Sequence, residues 1–376
     1  MKSRLVFVDL LRGWATIVMI EVHVFNAFIL PPLKSTDWYN LLNYINGIVA
    51  PTFIFVAGFV FVYVSERKIQ DFRDYGKLFW RQIYRIAQIW IVGYLLHLPY
   101  FSWARMMHEA SQDDWLKFFQ SDVLNCIAAG LLFVFLARVW IKSNTVYRWF
   151  LLVMGLAIAF VSPFIWDIDF NKYIPSPLGA YFNGQHYSGF PLFLWLSFMM
   201  AGGYYAMDYL KARQENKEKD FLRRIGITGV VMFVGGRLAA GLPAYISHAS
   251  TDVRANPFFF FERLGVVLVL LLVCWYYVEW RKTEKSFVLD VSRESLSVYA
   301  AHLLVIYGMF YFDMSLAYLY GGKLTVLECC AATIALMTVM IYAAKLWSWL
   351  KLQHIYLARG IAFMGAFIFF SYFFSR

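Results

Sequence analysis

Long apolar blocks, each about the length of a bilayer crossing, alternate along the chain with short clusters of charge. The pattern predicts eleven helices, near residues 5–30, 47–65, 82–101, 122–141, 147–166, 190–210, 222–245, 262–280, 293–312, 324–350 and 359–374. The expected fold is all-α: a polytopic integral membrane bundle of about eleven transmembrane helices, forming a single domain over residues 1–376. The first apolar stretch exceeds the roughly 15 residues of a signal-peptide core, and no small-residue cleavage site follows it. No internal repeat, low-complexity tract or second soluble domain interrupts the pattern. Glycine pairs such as Gly202–Gly203 and Gly235–Gly236 are expected to let helices approach closely.

Composition sharpens this reading. The 376 residues are 61% hydrophobic and 15% charged, against about 25% charged in soluble proteins. The net charge of +10 suggests a nucleic-acid partner only until its distribution is considered. Of the 34 Lys and Arg residues, 25 fall at the N-terminus and in every second connection, which predicts a cytoplasmic N-terminus. An odd number of spans then leaves the C-terminus outside. The charge is thus assigned to the lipid bilayer as partner, with no nucleic acid. Cys126, Cys274, Cys329 and Cys330 all sit in apolar segments without CxxC spacing, so they read as small buried residues rather than disulfides. With no eukaryotic targeting segment in view, a bacterial inner membrane is expected.

The first helix, RLVFVDLLRGWATIVMIEVHVFNAFIL, breaks the apolar rule. Ionisable side chains inside a membrane are expensive unless they pair or line a wet cavity. At about 100° per residue, Asp9, Arg12, Thr16 and His23 share one helix face. Asp9 and Arg12, three apart, can form an ion pair. His23 lies about 16 Å further along the axis, and imidazole is the side chain best suited to moving a proton near neutral pH. Asn26, one turn on, can orient the ring or bind substrate. Glu21 points about 160° away from His23, and Arg237 is a candidate partner for it. A packing clamp explains Asp9–Arg12 equally well, but a titratable group deep in a span is a functional candidate.

The connections assigned to the outer face, PPLKSTDWYN, FSWARMMHEASQDDWLKFF and WDIDFNKYIPSPLGAYFNGQHYSGF, are aromatic and polar. An interfacial Trp/Tyr belt accounts for much of this. A platform for a sugar-like acceptor is the sharper alternative, with Trp38, Asn46, His186 and Tyr187 as candidate acceptor-binding residues. No HExxH, acidic loop or Cys/His cluster suggests a metal, and no phosphate-binding glycine loop suggests an ATPase.

The pattern R-x4-D-x2-R-G-x10-H in the first helix resembles the start of the transmembrane acyltransferase superfamily, which includes the acyltransferase-3 and the heparan-α-glucosaminide N-acetyltransferase-like proteins. APTFIFVAGFVF (50–61), SDVLNCIAAGLLFVF (121–135), FPLFLWLSFMMAGGYYA (190–206) and SRESLSVYAAHLL (292–304) are similar, in order, to later segments of that superfamily. The lysosomal N-acetyltransferase carries Asn at the place of His23, so the chain is closer there to the acyltransferase-3 pattern. The resemblance implies transfer of an acyl group, acetyl or another, from cytoplasmic acyl-CoA to an acceptor across the membrane, such as a sugar of a cell-envelope glycan. On that expectation His23 and Asn26 are the catalytic candidates. Arg4, Asp9, Arg12, Tyr299 and His302 are the acyl-CoA-binding candidates, and Asn26, Asn46 and Tyr299 can donate to the developing oxyanion. The acyl group passes directly or through an acyl-imidazole. A transporter of a small polar or glycolipid substrate is the main alternative, although no inverted repeat supports it. A non-catalytic scaffold is the other, and a homodimer is left open.

Overall fold

The computed structural model describes residues 5–240, 252–282, 286–308 and 315–376, which leaves Arg4 outside the described residues. Among them the regular structure is helical, apart from an isolated parallel bridge between Ile29 and Leu324. We number the eleven longest helices α1 (Val6–Phe28), α2 (Val49–Ser65), α3 (Lys77–Leu95), α4 (Val123–Trp140), α5 (Asn144–Trp166), α6 (Leu192–Gln214), α7 (Glu218–Ala239), α8 (Pro257–Arg281), α9 (Ser295–Tyr307), α10 (Val326–Gln353) and α11 (Ile355–Ser375). Their ends follow local chemistry. Ser143 caps α5 by accepting from the Val146 amide, α8 opens on Pro257, and Thr325 and Glu328 cap α10 reciprocally.

Each of the eleven predicted stretches overlaps a helix, but length and apolarity suffice for a bilayer crossing at six places among the described residues. These are Asp37–Arg73, which contains α2, and helices α4, α5, α8, α10 and α11. The polar groups that make α1 of interest also lower its apolarity. α3 and α7 carry several Lys and Arg, and α9 has 13 described residues, about 20 Å of helix against the roughly 30 Å of a hydrocarbon core.

Two compact units emerge from the contacts between described residues. Among the described residues the first takes 5–8, 50–94, 119–240 and 252–281, the second 9–49, 95–118, 282, 286–308 and 315–376. In the first, α7 lies along α8, and α6 packs on α5 and α4. Its interior is aromatic, with Phe55, Phe59, Phe135, Phe198 and Phe260 all buried. Arg138, near the end of α4, is fully buried there. Its Nη2 donates to Glu66 Oε2 at 2.7 Å and to Asn144 Oδ1 at 2.6 Å, and its guanidinium lies 4.8 Å from the Tyr147 ring. A charge so enclosed acts as a clamp and not as a ligand for lipid headgroups.

In the second unit the helix Phe287–Arg293 and α9 pack against α10, and α11 follows α10. Lys351 of α10 donates to the buried carboxylate of Glu294 at 2.6 Å. Large apolar side chains of α10 and α11, among them Leu327, Tyr342, Tyr356 and Phe363, are exposed, which suits hydrocarbon surroundings and not water. Cys330 is exposed too, a correction to its expected burial: α10 is apolar over most of its circumference, so an apolar neighbourhood in sequence does not mean the interior.

Gly202 is one of the first unit's close backbone approaches. A Cβ at this position would lie 2.0 Å from the Phe55 carbonyl oxygen, so α6 and α2 meet backbone to backbone. In the pair Gly235–Gly236 the close approach falls on Gly236, where a Cβ would stand 2.6 Å from the Glu262 amide nitrogen, whereas Gly235 meets nothing within 4 Å. Gly202→Ala is therefore expected to destabilise the protein by about 1–3 kcal/mol, as overpacking does. Gly235→Ala should be neutral or stabilising by up to about 1 kcal/mol through helix propensity. Thermal unfolding of the two variants in detergent checks the difference.

Candidate functional site

The polar face of α1 from Asp9 onward belongs to the second unit, and its residues find partners far away in the chain. Arg12 Nη2 donates to Asp9 Oδ1 at 2.8 Å, the i, i+3 ion pair expected from spacing. Its Nε donates to Ser292 Oγ at 3.1 Å, across 280 residues of sequence. Gly13 makes that reach possible: a Cβ there would stand 2.3 Å from the Val288 carbonyl oxygen, so no larger residue lets α1 approach the helix Phe287–Arg293. Thr16 is fully buried and returns its hydroxyl to the Arg12 carbonyl at 2.9 Å. The same helix face thus carries an enclosed ion pair, a hydroxyl and, further on, an imidazole.

His23 is half-buried and held among aromatic rings of α9. Its centroid lies 5.2 Å from that of His302 and 5.9 Å from that of Tyr307, the latter edge-on at 85°. Tyr307 also donates its hydroxyl to the His23 carbonyl at 3.3 Å. His302 is fully buried, with Nδ1 2.8 Å from the Val298 carbonyl and the Tyr299 ring 5.7 Å away. The structure therefore brings together His23, His302 and Tyr299, all candidates from the sequence, and adds Tyr307 to them, while Ser292 joins Arg12. Ser292 stands in the SRESL stretch and was visible as a polar residue there. Tyr307 carried no signal, because a tyrosine at the end of an apolar helix is ordinary.

The other face and the C-terminal end of α1 build a second polar group. The Glu21 carboxylate hydrogen-bonds the side chain of Asn46, which is buried at the end of the helix Asp37–Asn46. Arg237, the partner suggested by sequence, belongs to α7 of the first unit. Asn26 is exposed, accepts the Tyr39 hydroxyl on Oδ1 at 2.8 Å and takes Lys34 Nζ on its carbonyl at 2.8 Å. Its side-chain oxygen is thus engaged by a phenol. Trp38 is exposed and stands edge-on to Tyr39 at 5.6 Å.

His186 and Tyr187 lie in the first unit, on the connection between α5 and α6. Both adopt left-handed backbone conformations, with φ of 50° and 70°, which is unfavourable for residues with a Cβ. Fastenings hold the loop: Ser121 Oγ donates to the Phe190 carbonyl at 2.7 Å, and Gln185 Nε2 to the Trp166 carbonyl at 3.0 Å. His186 Nε2 is 3.0 Å from Asp169 Oδ1, and this hydrogen bond holds the Asp169 carboxyl below the usual carboxylate range. Among the described residues no group of three or more His, Cys, Asp or Glu is arranged to hold a metal ion.

Chemically, the second unit offers a half-buried imidazole on the helix face that carries a cation-bearing cluster. An imidazole so placed can move a proton, and the Arg12 guanidinium, about 16 Å away along the same face, has the fork geometry that pairs with an anion. A family sequence model described as "Acyltransferase domain", of the acyltransferase-3 type, matches residues 5–345. No curated protein matches the chain.

Breaking the enclosed ion pair should expose its structural share. Asp9→Ala leaves Arg12 without its carboxylate in an enclosed setting, and losses of about 3–5 kcal/mol are typical when a buried pair loses one partner. Arg12 keeps some solvent contact, so the expected destabilisation lies at or below the lower end of that range. Thermal unfolding of Asp9→Ala against Asp9→Asn, which retains a hydrogen-bond acceptor, checks it.

Proposed function

Because the chain belongs to the acyltransferase-3 family, we propose that this membrane acyltransferase moves an acetyl or other acyl group from cytoplasmic acyl-CoA to an extracytoplasmic hydroxyl or amine, of a cell-envelope sugar. In this reading the N-terminus is cytoplasmic, the bilayer is a bacterial inner membrane, and the exposed apolar faces of α10 and α11 contact lipid. The observation that carries the proposal is the half-buried His23 ring, set between His302 and Tyr307 on the α1 face that also bears Arg12.

The donor's phosphates pair with Arg12, and with Arg4 at the start of the chain, since guanidinium matches phosphate geometry. Arg12 already contacts Asp9 and Ser292, so the phosphate adds to an oriented guanidinium. The thioester arm follows the α1 face, with Tyr299 and His302 beside the acyl end. His23 takes the proton from the acceptor hydroxyl or amine as that group attacks the thioester carbonyl. A C–O or C–N bond forms, the C–S bond breaks, and His23 returns the proton to the departing thiolate. A transient acyl-His23 gives the same products. Asn26 acts at the catalytic end with its amide nitrogen, since Tyr39 occupies its oxygen. Trp38 and Asn46 in this unit, and separately His186 and Tyr187 on their loop, are the residues read as saccharide-binding.

Purified protein, labelled acetyl-CoA and a panel of envelope saccharides provide the test. Label is expected on one saccharide, and His23→Ala should lower its rate about 10²–10⁴-fold, the usual contribution of a general base. Equal transfer by both proteins would remove His23 from the mechanism. No transfer by the wild type to any member would overturn the donor and acceptor classes proposed.

A further inference from the structure

His302 is unusual among the polar side chains of the second unit. It is fully buried, its Nδ1 is engaged by the Val298 carbonyl, and its Nε2 has no hydrogen-bond partner among the described residues. A carbonyl accepts only from an N–H, so in the neutral ring the proton sits on Nδ1 and Nε2 presents a lone pair. An unsatisfied buried acceptor costs about 1–3 kcal/mol, and such groups in native proteins call for an explanation. The ring closest in character is His23, whose centroid stands 5.2 Å away at a tilt of 50°. Two imidazoles joined by an N–H···N hydrogen bond of about 3 Å have centroids about 5 Å apart. The separation is therefore within the span of a direct bond, which a rotation of the half-buried His23 ring can complete.

We propose that His302 is a positioning residue: its Nε2 accepts the N–H of His23, fixes the tautomer of that ring, and turns the opposite His23 nitrogen toward the reacting group. This deepens the reading of His23 as the base and rests on it. The chain of dependence is short. The α9 backbone carbonyl of Val298 sets the proton on His302 Nδ1, and the lone pair this leaves on Nε2 then sets the proton on His23. The other His23 nitrogen is left with its lone pair free. When that nitrogen takes a proton, the resulting imidazolium keeps a hydrogen bond to an acceptor that carries no competing donor. When it takes an acyl group instead, the N–H proton must leave, and His302 Nε2 is the atom to receive it. Tyr307 contacts the His23 ring edge-on and holds the His23 carbonyl through its hydroxyl, which fixes the backbone from which the ring turns.

Carbethoxylation by diethyl pyrocarbonate, followed by peptide mass spectrometry, tests this without acyl-CoA or any acceptor. The reagent forms a C–N bond at one His23 nitrogen, its anhydride C–O bond breaks, carbon dioxide and ethanol leave, and the proton of the other nitrogen is lost. His302→Leu removes the acceptor, whereas His302→Gln places an amide oxygen near the position of Nε2. His23 labelling is expected to slow about tenfold in His302→Leu, the worth of one ordinary hydrogen bond, and to stay within about twofold of wild type in His302→Gln. Labelling of the exposed His108 should be the same in all three proteins. A folded Leu variant labelled at the wild-type rate would overturn the proposal, as would a Gln variant slowed as much as the Leu variant. Should His302→Leu not fold, His302→Gln against wild type carries the test alone, a tenfold slowing being the overturning result. The readout is blind to acyl transfer, so a failure of the acyltransferase assay and a failure of the histidine pairing are seen separately.

Discussion

A charge that leaves water needs a counter-charge or hydrogen-bond partners within reach, and in apolar surroundings no solvent substitutes for them. That requirement decides where helices of this protein touch. Arg138 with Glu66 and Asn144 fastens the end of α4 to the connection after α2. Arg148 of α5 joins Asp208 and Tyr204 of α6. In the second unit, Lys351 of α10 meets Glu294, and Arg12 of α1 meets Asp9 and Ser292. None of these contacts follows from apolar packing, which is indifferent to direction in a lipid-like medium. Each defines a register that the apolar surfaces around it leave open.

The same principle separates structural charges from chemical ones. Arg138 is sealed, with its terminal nitrogens on Glu66, Asn144 and the Ile141 carbonyl and its face on the Tyr147 ring, so ligands do not reach it. Arg12 has equally well-placed partners but keeps some solvent contact, and the ring that shares its face, His23, is half-buried. A group that must exchange protons or meet a ligand cannot be fully satisfied at rest. The imidazole pair of α1 and α9 combines a reachable ring with a buried one whose acceptor atom is unoccupied. Proton-transfer chemistry uses this arrangement when one ring does the work and its neighbour fixes its tautomer.

Backbone proximity is the second device. Gly13 and Gly202 allow main chains to approach to distances that any Cβ would block. At Gly202 the consequence is packing. At Gly13 it reaches the site, because the helix Phe287–Arg293 comes close enough for Ser292 to take a hydrogen bond from Arg12. One missing methyl group thereby couples the geometry of α1 to the segment that leads into α9, on which His302 stands.

The sequence by itself determined what a local period can encode. The apolar blocks specify helices, and a helical repeat of 3.6 residues puts Asp9, Arg12, Thr16 and His23 on one face whatever α1 packs against. The Asp9–Arg12 pair was legible for that reason, being a contact within one turn. Tertiary structure decided the rest. Ser292 and Tyr307 reach α1 across 280 and 284 residues, and no periodicity carries information over such a separation. Whether Cys330 faces inward, whether Arg138 is solvated, and which buried histidine nitrogen lacks a partner depend on which surfaces meet. An apolar helix in a lipid-like setting fits many neighbours equally well, so that choice belongs to a few polar contacts and close-approach glycines distributed over the whole fold.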